Sequence, residues 1–439
     1  MLGSALRIRR IMKPFTPAIE DPNDPLELNL TDVVFGGDAI ARHDGQVIFV
    51  PFGLPGERVQ ARLLHAKRDY ATAELFEVLE AAPGRIEPRC PHFGVCGGCQ
   101  FQHASYQTQL ELKRHVVVDQ LHRIGGIANA EELVAPAIGM IDPWGYRNHV
   151  RFTLGRKYGD VGYTYRQSHR LLPIDLCAIA HPAINEVLAR VQRRCAGLKA
   201  HQIAVRYGAN TGDLLITPKL PMVSEVESGQ AGLTEAVLDR AFFVSPAAFF
   251  QVNTRREARD VPASIGQRFA PERSGPFSIA DILALLVLDR LEPQPDDLVV
   301  DAYCGVGTFS TLIAPHVRTV IGIEESSAAV KNAERNAEDL SNTRFIAAKT
   351  EHILAELDAG TVDGLVIDPA RVGCAPPVTQ AMLDRHPRRV VYVSCDPATL
   401  ARDLRFLQDG GYHIDGVEPL DMFPQTGHIE TVTTLTWPG

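Results

Sequence analysis

The pattern of apolar and polar positions divides the chain into parts. Short apolar runs broken by Gly and Pro turn signals fill residues 25–82 and predict a small β-barrel. Apolar side chains at helical spacing predict a helix over 106–124, and strand-like runs return from about 145 to 250 around a helix near 182–198. From about 295 to the end, strand and helix patterns alternate, which predicts a parallel sheet with helices on both faces.

The last part of the chain carries the clearest pattern. Its predicted strands are 298–302, 319–323, 364–367, 389–394 and 429–436. Its predicted helices lie near 309–315, 326–340 and 398–409. Ligands of open α/β sheets bind at the carboxyl ends of the strands. Polar residues that follow these strands are therefore the first candidates for chemistry.

Length and composition narrow the class of protein. A chain of 439 residues is long enough for two or three domains, and 45% apolar with 22% charged residues is typical of folded protein. There is no run of about eighteen apolar residues to span a membrane, and the N-terminus lacks the apolar core of a signal peptide. We therefore expect a cytoplasmic protein that does not bind membranes, and we expect it to be a monomer.

Three cysteines in a turn-rich segment predict a metal centre. Cys90, Cys96 and Cys99 are closely spaced, and two glycines before Cys99 let the backbone fold round a bound metal. A closed site needs a fourth ligand, for which Cys177 is the best candidate. Spacing alone leaves zinc and an iron–sulfur cluster both open, and a metal-free loop of reduced cysteines is the alternative. Two nearby histidines are the zinc-type alternatives for the fourth ligand: His92 and His103.

A glycine-rich turn after the strand 298–302 predicts a cofactor site. Gly305 and Gly307 let the backbone approach a ligand closely where a helix begins. Glu324 ends the next strand, where a carboxylate can accept hydrogen bonds from ribose hydroxyls. Because the third glycine of a dinucleotide site is missing, S-adenosylmethionine fits better than a dinucleotide. The alternative is a structural turn with a surface glutamate.

Cys395 is the candidate nucleophile. It follows the strand 389–394 and precedes a helix, so it should lie at the same sheet edge as the cofactor site. A pyrimidine C5 can take a methyl group after a thiolate adds at C6, and the C5 proton must then leave to a base. Glu430, at the beginning of the final strand, is the candidate base. Taken alone, such residues are more often a packing cysteine and a surface carboxylate.

A stretch rich in basic and aromatic side chains is a candidate RNA surface. Between Arg147 and Arg170 there are six basic residues and one acidic residue, Asp160. Basic side chains meet phosphates, and aromatic faces stack on bases. A solvated face of a β-rich segment explains this composition equally well, and the net charge of −9 argues against nucleic-acid binding. The aromatic residues concerned are Tyr146, Phe152, Tyr158, Tyr163 and Tyr165.

Together these motifs resemble those of the bacterial RNA 5-methyluridine (uracil-C5) methyltransferases, most closely the iron–sulfur branch that acts on large-subunit ribosomal RNA. Residues 394–404 resemble the nucleophile motif of that family, and residues 428–430 resemble its base motif. The resemblance covers nearly the whole chain and implies a multidomain α/β protein. The implied domains are an OB-like RNA-binding barrel (TRAM, 20–83), a central α+β domain with the cluster loop (84–250) and a Rossmann-like class I methyltransferase domain (251–439).

The resemblance also implies the roles of individual residues. Cys395 would be the nucleophile and Glu430 the base. S-adenosyl-L-methionine would contact Gln251, Tyr303, Thr308, Glu324 and Asp368. A 4Fe–4S cluster would be held by Cys90, Cys96, Cys99 and Cys177.

The chain departs from the family pattern at three places. Asp396 stands where the family commonly has Asn, and its negative charge would oppose thiolate formation if it faced Cys395. Ala370 replaces a frequent second proline, and with Arg371 it leaves no aromatic residue after Asp-Pro, which disfavours an exocyclic amine as the target. A segment near 262–281 looks like an extra loop.

The expected function is S-adenosylmethionine-dependent methylation of C5 of a specific uridine in 23S-type ribosomal RNA through a covalent cysteine adduct. The expected partner is therefore structured RNA, foremost large-subunit ribosomal RNA. Two alternatives stay open: the same chemistry on transfer RNA, and a non-catalytic RNA-binding protein. Because the cluster cysteines are remote from Cys395 in sequence, we expect the cluster to serve folding or RNA positioning.

Overall fold

The computed structural model describes residues 25–257, 265, 269, 275–357 and 360–439. These residues form two compact units: 25–32 with 39–82, and 33–38 with 83 onward. Within the described ranges, every helix is too short or too polar to cross a membrane. Most of the extra loop expected at 262–281 lies outside the described residues.

The first unit is built from short strands and their turns. Its sheet has six strands in the order β1-β5-β6-β4-β3-β2, whose bounds are β1 (Leu26–Asn29), β2 (Asp32–Val33), β3 (Ala39–His43), β4 (Gln46–Val50), β5 (Arg58–Ala66) and β6 (Tyr70–Glu80). Buried positions alternate with exposed ones, so Val59 and Ala61 of β5 lie in its core. Buried Glu57 accepts the backbone N–H of Leu54 at 2.9 Å and of Ala82 at 3.3 Å, which ties the preceding turn to the end of β6.

The second unit begins with three helices and an antiparallel sheet. The helices are α1 (Tyr106–Arg123), α2 (Ala130–Leu133) and α3 (Pro182–Val191). The strands are β7 (His149–Leu154), β8 (Val161–Thr164), β9 (Leu171–Pro173), β10 (Gln202–Tyr207) and β11 (Leu214–Thr217), in the order β11-β10-β7-β8-β9. A hairpin of β12 (Leu233–Val237) and β13 (Arg240–Val244) follows.

Helix α3 is shorter than the sequence predicts. It ends at Val191, and the Gln192 side chain then exchanges hydrogen bonds of 2.6 and 2.9 Å with the backbone of Val161 in β8. Arg193 takes a left-handed backbone with φ of 60°. These hydrogen bonds to β8 compete with extension of the helix to residue 198.

The rest of the second unit alternates strands and helices. The helices are α4 (Ile279–Leu291), α5 (Thr308–Ile313), α6 (Ser327–Asn336), α7 (Thr350–Ile353), α8 (Pro376–Arg385) and α9 (Pro397–Asp409), with a 3₁₀ turn at Ala314–His316. The strands are β14 (Leu298–Ala302), β15 (Thr319–Glu324), β16 (Thr343–Ala347), β17 (Gly364–Ile367), β18 (Arg389–Ser394), β19 (His413–Leu420) and β20 (Glu430–Thr436). The seven strands form one sheet in the order β16-β15-β14-β17-β18-β20-β19.

The sheet is not parallel throughout, and the prediction of a purely parallel sheet is wrong at one end. Strands β14 to β18 pair in parallel, but β20 pairs antiparallel with both β18 and β19. Residues 421–429 join β19 to β20 without a crossover helix, so the chain must return in the opposite direction. As a result, β20 begins at the edge of the sheet where β18 ends.

The hydrophobic core of the seven-stranded part lies between the sheet and α4. Helix α4 is apolar on nearly all sides and is buried along most of its length, with Leu285, Leu286 and Val287 fully covered. Its first turn is closed by a capping box in which Ser278 and Asp281 exchange hydrogen bonds. The strands β14, β17 and β18 are buried throughout or nearly so, which makes their carboxyl ends a rigid platform.

Candidate active site and cysteine centre

The candidate nucleophile and base lie at one edge of the seven-stranded sheet. The ladder between β18 and β20 ends with Ser394 opposite Thr431, and Cys395 and Glu430 are the next residues of the two segments beyond that end. The Thr431 hydroxyl donates to the Ser394 carbonyl at 3.1 Å, which stabilises this register. Cys395 is partly exposed, whereas Glu430 is only 4% exposed. The fold thus brings together two residues that are 35 positions apart in sequence.

Burial and neighbouring charges control ionisation at this edge. Burial, followed by the carboxyl groups of Glu430 and Asp368, raises the pKa of Cys395 to about 11, while the Arg371 guanidinium opposes the shift. Burial and Asp368 likewise raise the pKa of Glu430. Burial and the carboxyl group of Asp301 raise the pKa of Asp368 to about 7. The free protein therefore holds the thiol protonated at neutral pH, and added positive charge would favour the thiolate.

Asp396 does not face the nucleophile as a free charge. Its Oδ1 accepts the backbone N–H groups of Ala398 at 3.0 Å and Thr399 at 3.1 Å, so it caps helix α9. The carboxylate thereby lies at the positive end of the helix. Asp396 is the smallest of the contributions that raise the pKa of Cys395.

The turn after β14 has the features of a small-ligand site. Gly305 has φ of +56°, and open space surrounds the position that a Cβ would occupy there. Fully buried Asp301 accepts the N–H and hydroxyl of Ser310 through Oδ2, at 2.8 and 2.5 Å. Its Oδ1 has no hydrogen-bond partner among the described residues, and burial raises its pKa to about 7. Sequence reasoning assigned Asp301 no role, although its position at a strand end was visible.

Glu324 lies beside this turn at the end of β15. Its carboxylate accepts the backbone N–H of Gly305 at 3.2 Å and of Ser326 at 2.7 Å, which fixes its orientation. A carboxylate has about four acceptor positions, so acceptor capacity remains for ligand hydroxyls. The glycine turn and Glu324 together fit a bound adenosine ribose.

The other residues expected to contact the cofactor lie on two parts of the unit. Tyr303 follows β14 with φ of +64°, Thr308 begins α5, and Asp368 follows β17. These three therefore share the sheet edge with Glu324. Gln251 lies after β13, and its side chain accepts the N–H of Val252 at 3.1 Å.

Arg371 places a positive charge near the candidate nucleophile and base. Its Nη2 lies 3.3 Å from Nδ1 of His428, two residues before Glu430. Burial, Arg371 and Lys113 lower the pKa of His428 to about 4, so the ring is neutral at pH 7. The charge of Arg371 also opposes the rise in the pKa of Cys395 and of Glu430. The exposed guanidinium is thus the cation that favours ionised forms at this edge.

The four predicted ligand cysteines all line one cavity of about 480 Å³. They are Cys90, Cys96, Cys99 and Cys177. His92 also lines this cavity, whereas the ring of His103 packs on Phe93 at 5.6 Å. In the described part of the chain, no three His, Cys, Asp or Glu side chains are gathered as a ready site for a single metal ion.

Two amide side chains hold the cysteine segments in place. Gln102 accepts the backbone N–H of Cys90 at 3.0 Å. Asn185 of α3 accepts the N–H of Cys177 at 2.9 Å and donates to its carbonyl at 3.1 Å. Burial and the other thiols raise the pKa of Cys99 to about 12. Sequence reasoning missed both amides because their contacts are made between segments.

The remaining three cysteines are packed in the interior of the second unit. Cys195, Cys304 and Cys374 are all buried. Cys195 lies beyond the end of α3 rather than on the helix. The Cys374 thiol lies 3.4 Å from the Tyr392 hydroxyl, which also donates to Asp403 at 2.7 Å.

The basic and aromatic stretch is divided between core and surface. Tyr146 and Phe152 are fully buried. Tyr163, with Arg147, lines the cysteine cavity. Tyr158 is 64% exposed beside Lys157, whose Nζ lies 5.0 Å from the ring centre. The exposed basic residues of this stretch are Arg151, Arg156, Lys157 and Arg170.

Comparisons with known proteins show the family of the chain. The tRNA (Uracil-5-)-methyltransferase family pattern matches residues 279–437, and the TRAM domain pattern matches residues 26–76. A protein of Gloeobacter violaceus named as an uncharacterized RNA methyltransferase is 37% identical over 96% of this chain and 99% of its own length. One of Halalkalibacterium halodurans, named likewise, is 33% identical over 94% of this chain and 97% of its own.

A solved structure shows the same fold. The tRNA (uracil-54, C5)-methyltransferase of Pyrococcus abyssi, in complex with S-adenosyl-L-homocysteine, superposes with a TM-score of 0.70 over 94% of this chain and 100% of that chain, at 22% identity. The sequence matches define an RNA methyltransferase. More narrowly, the chain belongs to the RNA uracil-5-methyltransferase family and carries its TRAM domain.

Proposed function

We propose that the chain methylates C5 of a specific uridine in large-subunit (23S-type) ribosomal RNA through a covalent adduct on Cys395. The observation that carries the chemistry is the pairing of β18 and β20, which ends with Ser394 opposite Thr431 and so leaves Cys395 and Glu430 as the next residues at the carboxyl edge of the sheet. The glycine turn and Glu324 form the cofactor site at the same edge. A nucleophile, a base and a methyl-donor site on one rigid edge suit this reaction.

In the proposed mechanism, the Cys395 thiolate adds to C6 of the uracil ring, and C5 becomes an enolate carbon. C5 attacks the methyl group of the donor, the sulfonium–methyl bond breaks, and S-adenosylhomocysteine leaves with the bonding electron pair. Glu430 then takes the C5 proton, the S–C6 bond breaks, and the C5=C6 double bond is restored.

The carboxyl groups at the edge support this sequence electrostatically. Since burial raises the pKa of Asp368 and Glu430, both groups have high proton affinity in the free site. A bound sulfonium cation favours their ionised forms and that of Cys395. After methyl transfer this cation is gone, and the carboxylate of Glu430 becomes the better proton acceptor.

We further propose that Cys90, Cys96, Cys99 and Cys177 hold a 4Fe–4S cluster. Four thiols lining a cavity of about 480 Å³ fit a group with several metal atoms. When bound, the cluster would join the loop containing Cys96 to Cys177, which Asn185 ties to α3.

The RNA substrate would meet the TRAM unit and the central part of the chain. On the TRAM unit, Phe76 is 61% exposed and lies 5.6 Å from the Arg62 guanidinium. On the central part, exposed Tyr158 lies beside Lys157. Such basic and aromatic pairs suit single-stranded RNA and a flipped base, whose extraction costs a few kcal/mol.

Transfer RNA is the alternative substrate, because the matching family and the solved structure both carry tRNA in their names. The deciding experiment incubates the purified protein and S-adenosylmethionine with 5-fluorouridine-substituted 23S-type ribosomal RNA and transfer RNA. Fluorine cannot leave as a proton does, so the proposed mechanism traps a covalent protein–RNA adduct. We expect an adduct with ribosomal RNA that is lost in Cys395→Ala.

Sequencing the trapped RNA identifies the uridine. Trapping of transfer RNA alone would replace the proposed substrate. Absence of any adduct, with cofactor binding demonstrated, would favour the non-catalytic alternative. Cytoplasmic location and a monomeric state remain our proposals, and sedimentation of the purified chain tests the second.

A further inference from the structure

The segment that leads into the base is unusual because it is buried without regular structure. Residues 421–427, here called the base-anchor segment, join β19 to the strand that begins with Glu430. Asp421, Gln425 and Thr426 are all at most 2% exposed. Gln425 also holds a left-handed backbone with φ of 70°, which a non-glycine residue adopts only where its surroundings fix it.

Helix α1 supplies one set of contacts to this segment. The Gln109 and Gln425 amides form a reciprocal pair: Gln109 Nε2 donates to Gln425 Oε1 at 3.0 Å, and the Gln425 backbone N–H donates to Gln109 Oε1 at 3.0 Å. One turn further along, Lys113 Nζ donates to Asp421 Oδ1 at 2.5 Å and to the carbonyl of Phe423 at 3.1 Å. The residues of both pairs are buried, so no water replaces these bonds.

The loop that contains Cys90, Cys96 and Cys99, here called the cysteine loop, supplies the second set of contacts to this segment. The backbone N–H groups of Gln100 and Phe101, next to Cys99, both donate to the Gln425 carbonyl at 3.0 Å. Gln100 Oε1 accepts the N–H of Gly427 at 3.1 Å, three residues before Glu430.

Gly427 has no room to move towards the loop opposite. A Cβ at this position would lie 2.5 Å from the backbone carbon of Gly36. The segment is therefore held from α1, from the cysteine loop and from the Gly36 turn, all within the second unit.

We infer that Gln100 and Gln109 are positioning residues that fix the base-anchor segment and thereby place Glu430 for removal of the C5 proton. The inference rests on the proposed function. Neither side chain is expected to touch the substrate, since each acts through the backbone that leads into β20. A base displaced by about 1 Å can lose about 100-fold in rate, whereas thiol addition by Cys395 does not involve this segment.

The test separates proton removal from adduct formation. The variants are Gln109→Leu and Gln100→Ala, and the matched control is Gln107→Leu. Gln107 is an exposed residue of α1 whose side chain donates to Glu111. Each is incubated with methyl-labelled S-adenosylmethionine and either ordinary or 5-fluorouridine-substituted 23S-type RNA. With ordinary RNA, we expect the two variants to accumulate a methyl-labelled covalent adduct that breaks down about 10- to 100-fold more slowly than in wild type and control.

With fluorinated RNA, all four proteins should be trapped equally, because trapping does not require proton removal. Variants that release ordinary RNA at the wild-type rate would overturn the inference. Folded variants, judged by their melting temperature, that lose trapping of both RNAs would also overturn it, since the defect would then precede proton removal. Gln100 is only partly buried, so Gln100→Ala decides the question if Gln109→Leu does not fold. Lack of trapping in wild type would instead reject the proposed function.

Discussion

At the scale of single residues, the site shows how the same charge acts differently according to its partners. Asp396 has its carboxylate bonded to the N–H groups that begin α9, and it contributes little to the pKa of Cys395. Asp368 and Glu430 have no such partners among the described residues of α9, and they raise the pKa of Cys395 more than Asp396 does. The departure from the family's Asn at 396 therefore leaves the cap intact, since Asp and Asn cap helices about equally well. The sequence revealed the extra charge, and only the structure showed its partner.

Substitution of two charged neighbours should shift the pKa of Cys395 in opposite directions. In the free protein, alkylation of Cys395 should follow the thiolate fraction and rise with pH towards a midpoint near 11. Near that pH Asp368 is ionised, so Asp368→Asn should lower the midpoint, whereas Arg371→Gln should raise it. Iodoacetamide labelling of the Cys395 peptide, followed by mass spectrometry without cofactor, measures both shifts. Shifts in the same direction would show that burial, and not these charges, controls the thiol.

At the scale of elements, the sequence predicts what depends on local pattern and misses what depends on partners. The strands at 298–302, 364–367 and 389–394 were predicted with the bounds that the structure shows. Helix α4 was missed because its residues are apolar on every side, so they lack an amphipathic period. Strand β19 was missed because it contains Gly416 and Pro419 and a bulge near the glycine.

The same distinction holds for the site. Cys395, Glu430 and the cysteine loop were found because each lies in a short, recognisable motif. The reciprocal Gln109–Gln425 pair joins residues 316 positions apart, so no local pattern indicates it. Likewise, the unpartnered Oδ1 of Asp301 follows from the packing of buried strands and not from its neighbours in sequence.

The prediction at the scale of elements concerns iron binding by the cysteine loop. Cys99→Ser and Cys177→Ser should each lower the iron and acid-labile sulfide bound per chain, together with the visible absorbance of sulfur-to-iron charge transfer, because each removes one of four ligands. Cys395→Ser, whose thiol lies outside the cavity, should keep the wild-type iron content and serves as the control. Metal analysis of anaerobically purified protein makes the measurement. One zinc ion per chain without iron, or unchanged iron in both variants, would contradict the cluster.

At the scale of the whole molecule, the net charge of −9 conceals an uneven distribution. Between 147 and 170 six basic residues face one acidic residue, and four of the six are exposed. RNA binding depends on the charge that meets the phosphates and not on the net charge. An acidic protein can therefore bind RNA through a local basic surface while its other surfaces repel non-specific contacts.

This argument predicts the salt dependence of RNA binding. Replacing Arg151, Lys157 and Arg170 together by Gln should weaken binding of 23S-type RNA and make the plot of log affinity against log salt shallower, by about 0.7 to 0.9 for each phosphate that the variant no longer neutralises. The matched control replaces three exposed basic residues on helices α3, α6 and α9 by Gln, namely Arg190, Lys331 and Arg405. This control makes the same change in net charge, so an effect of overall charge would appear equally in both triple variants. Filter binding over a range of potassium chloride concentrations measures the two slopes. If both slopes fall alike, or neither changes, the exposed part of the 147–170 stretch is not the surface that meets the phosphates.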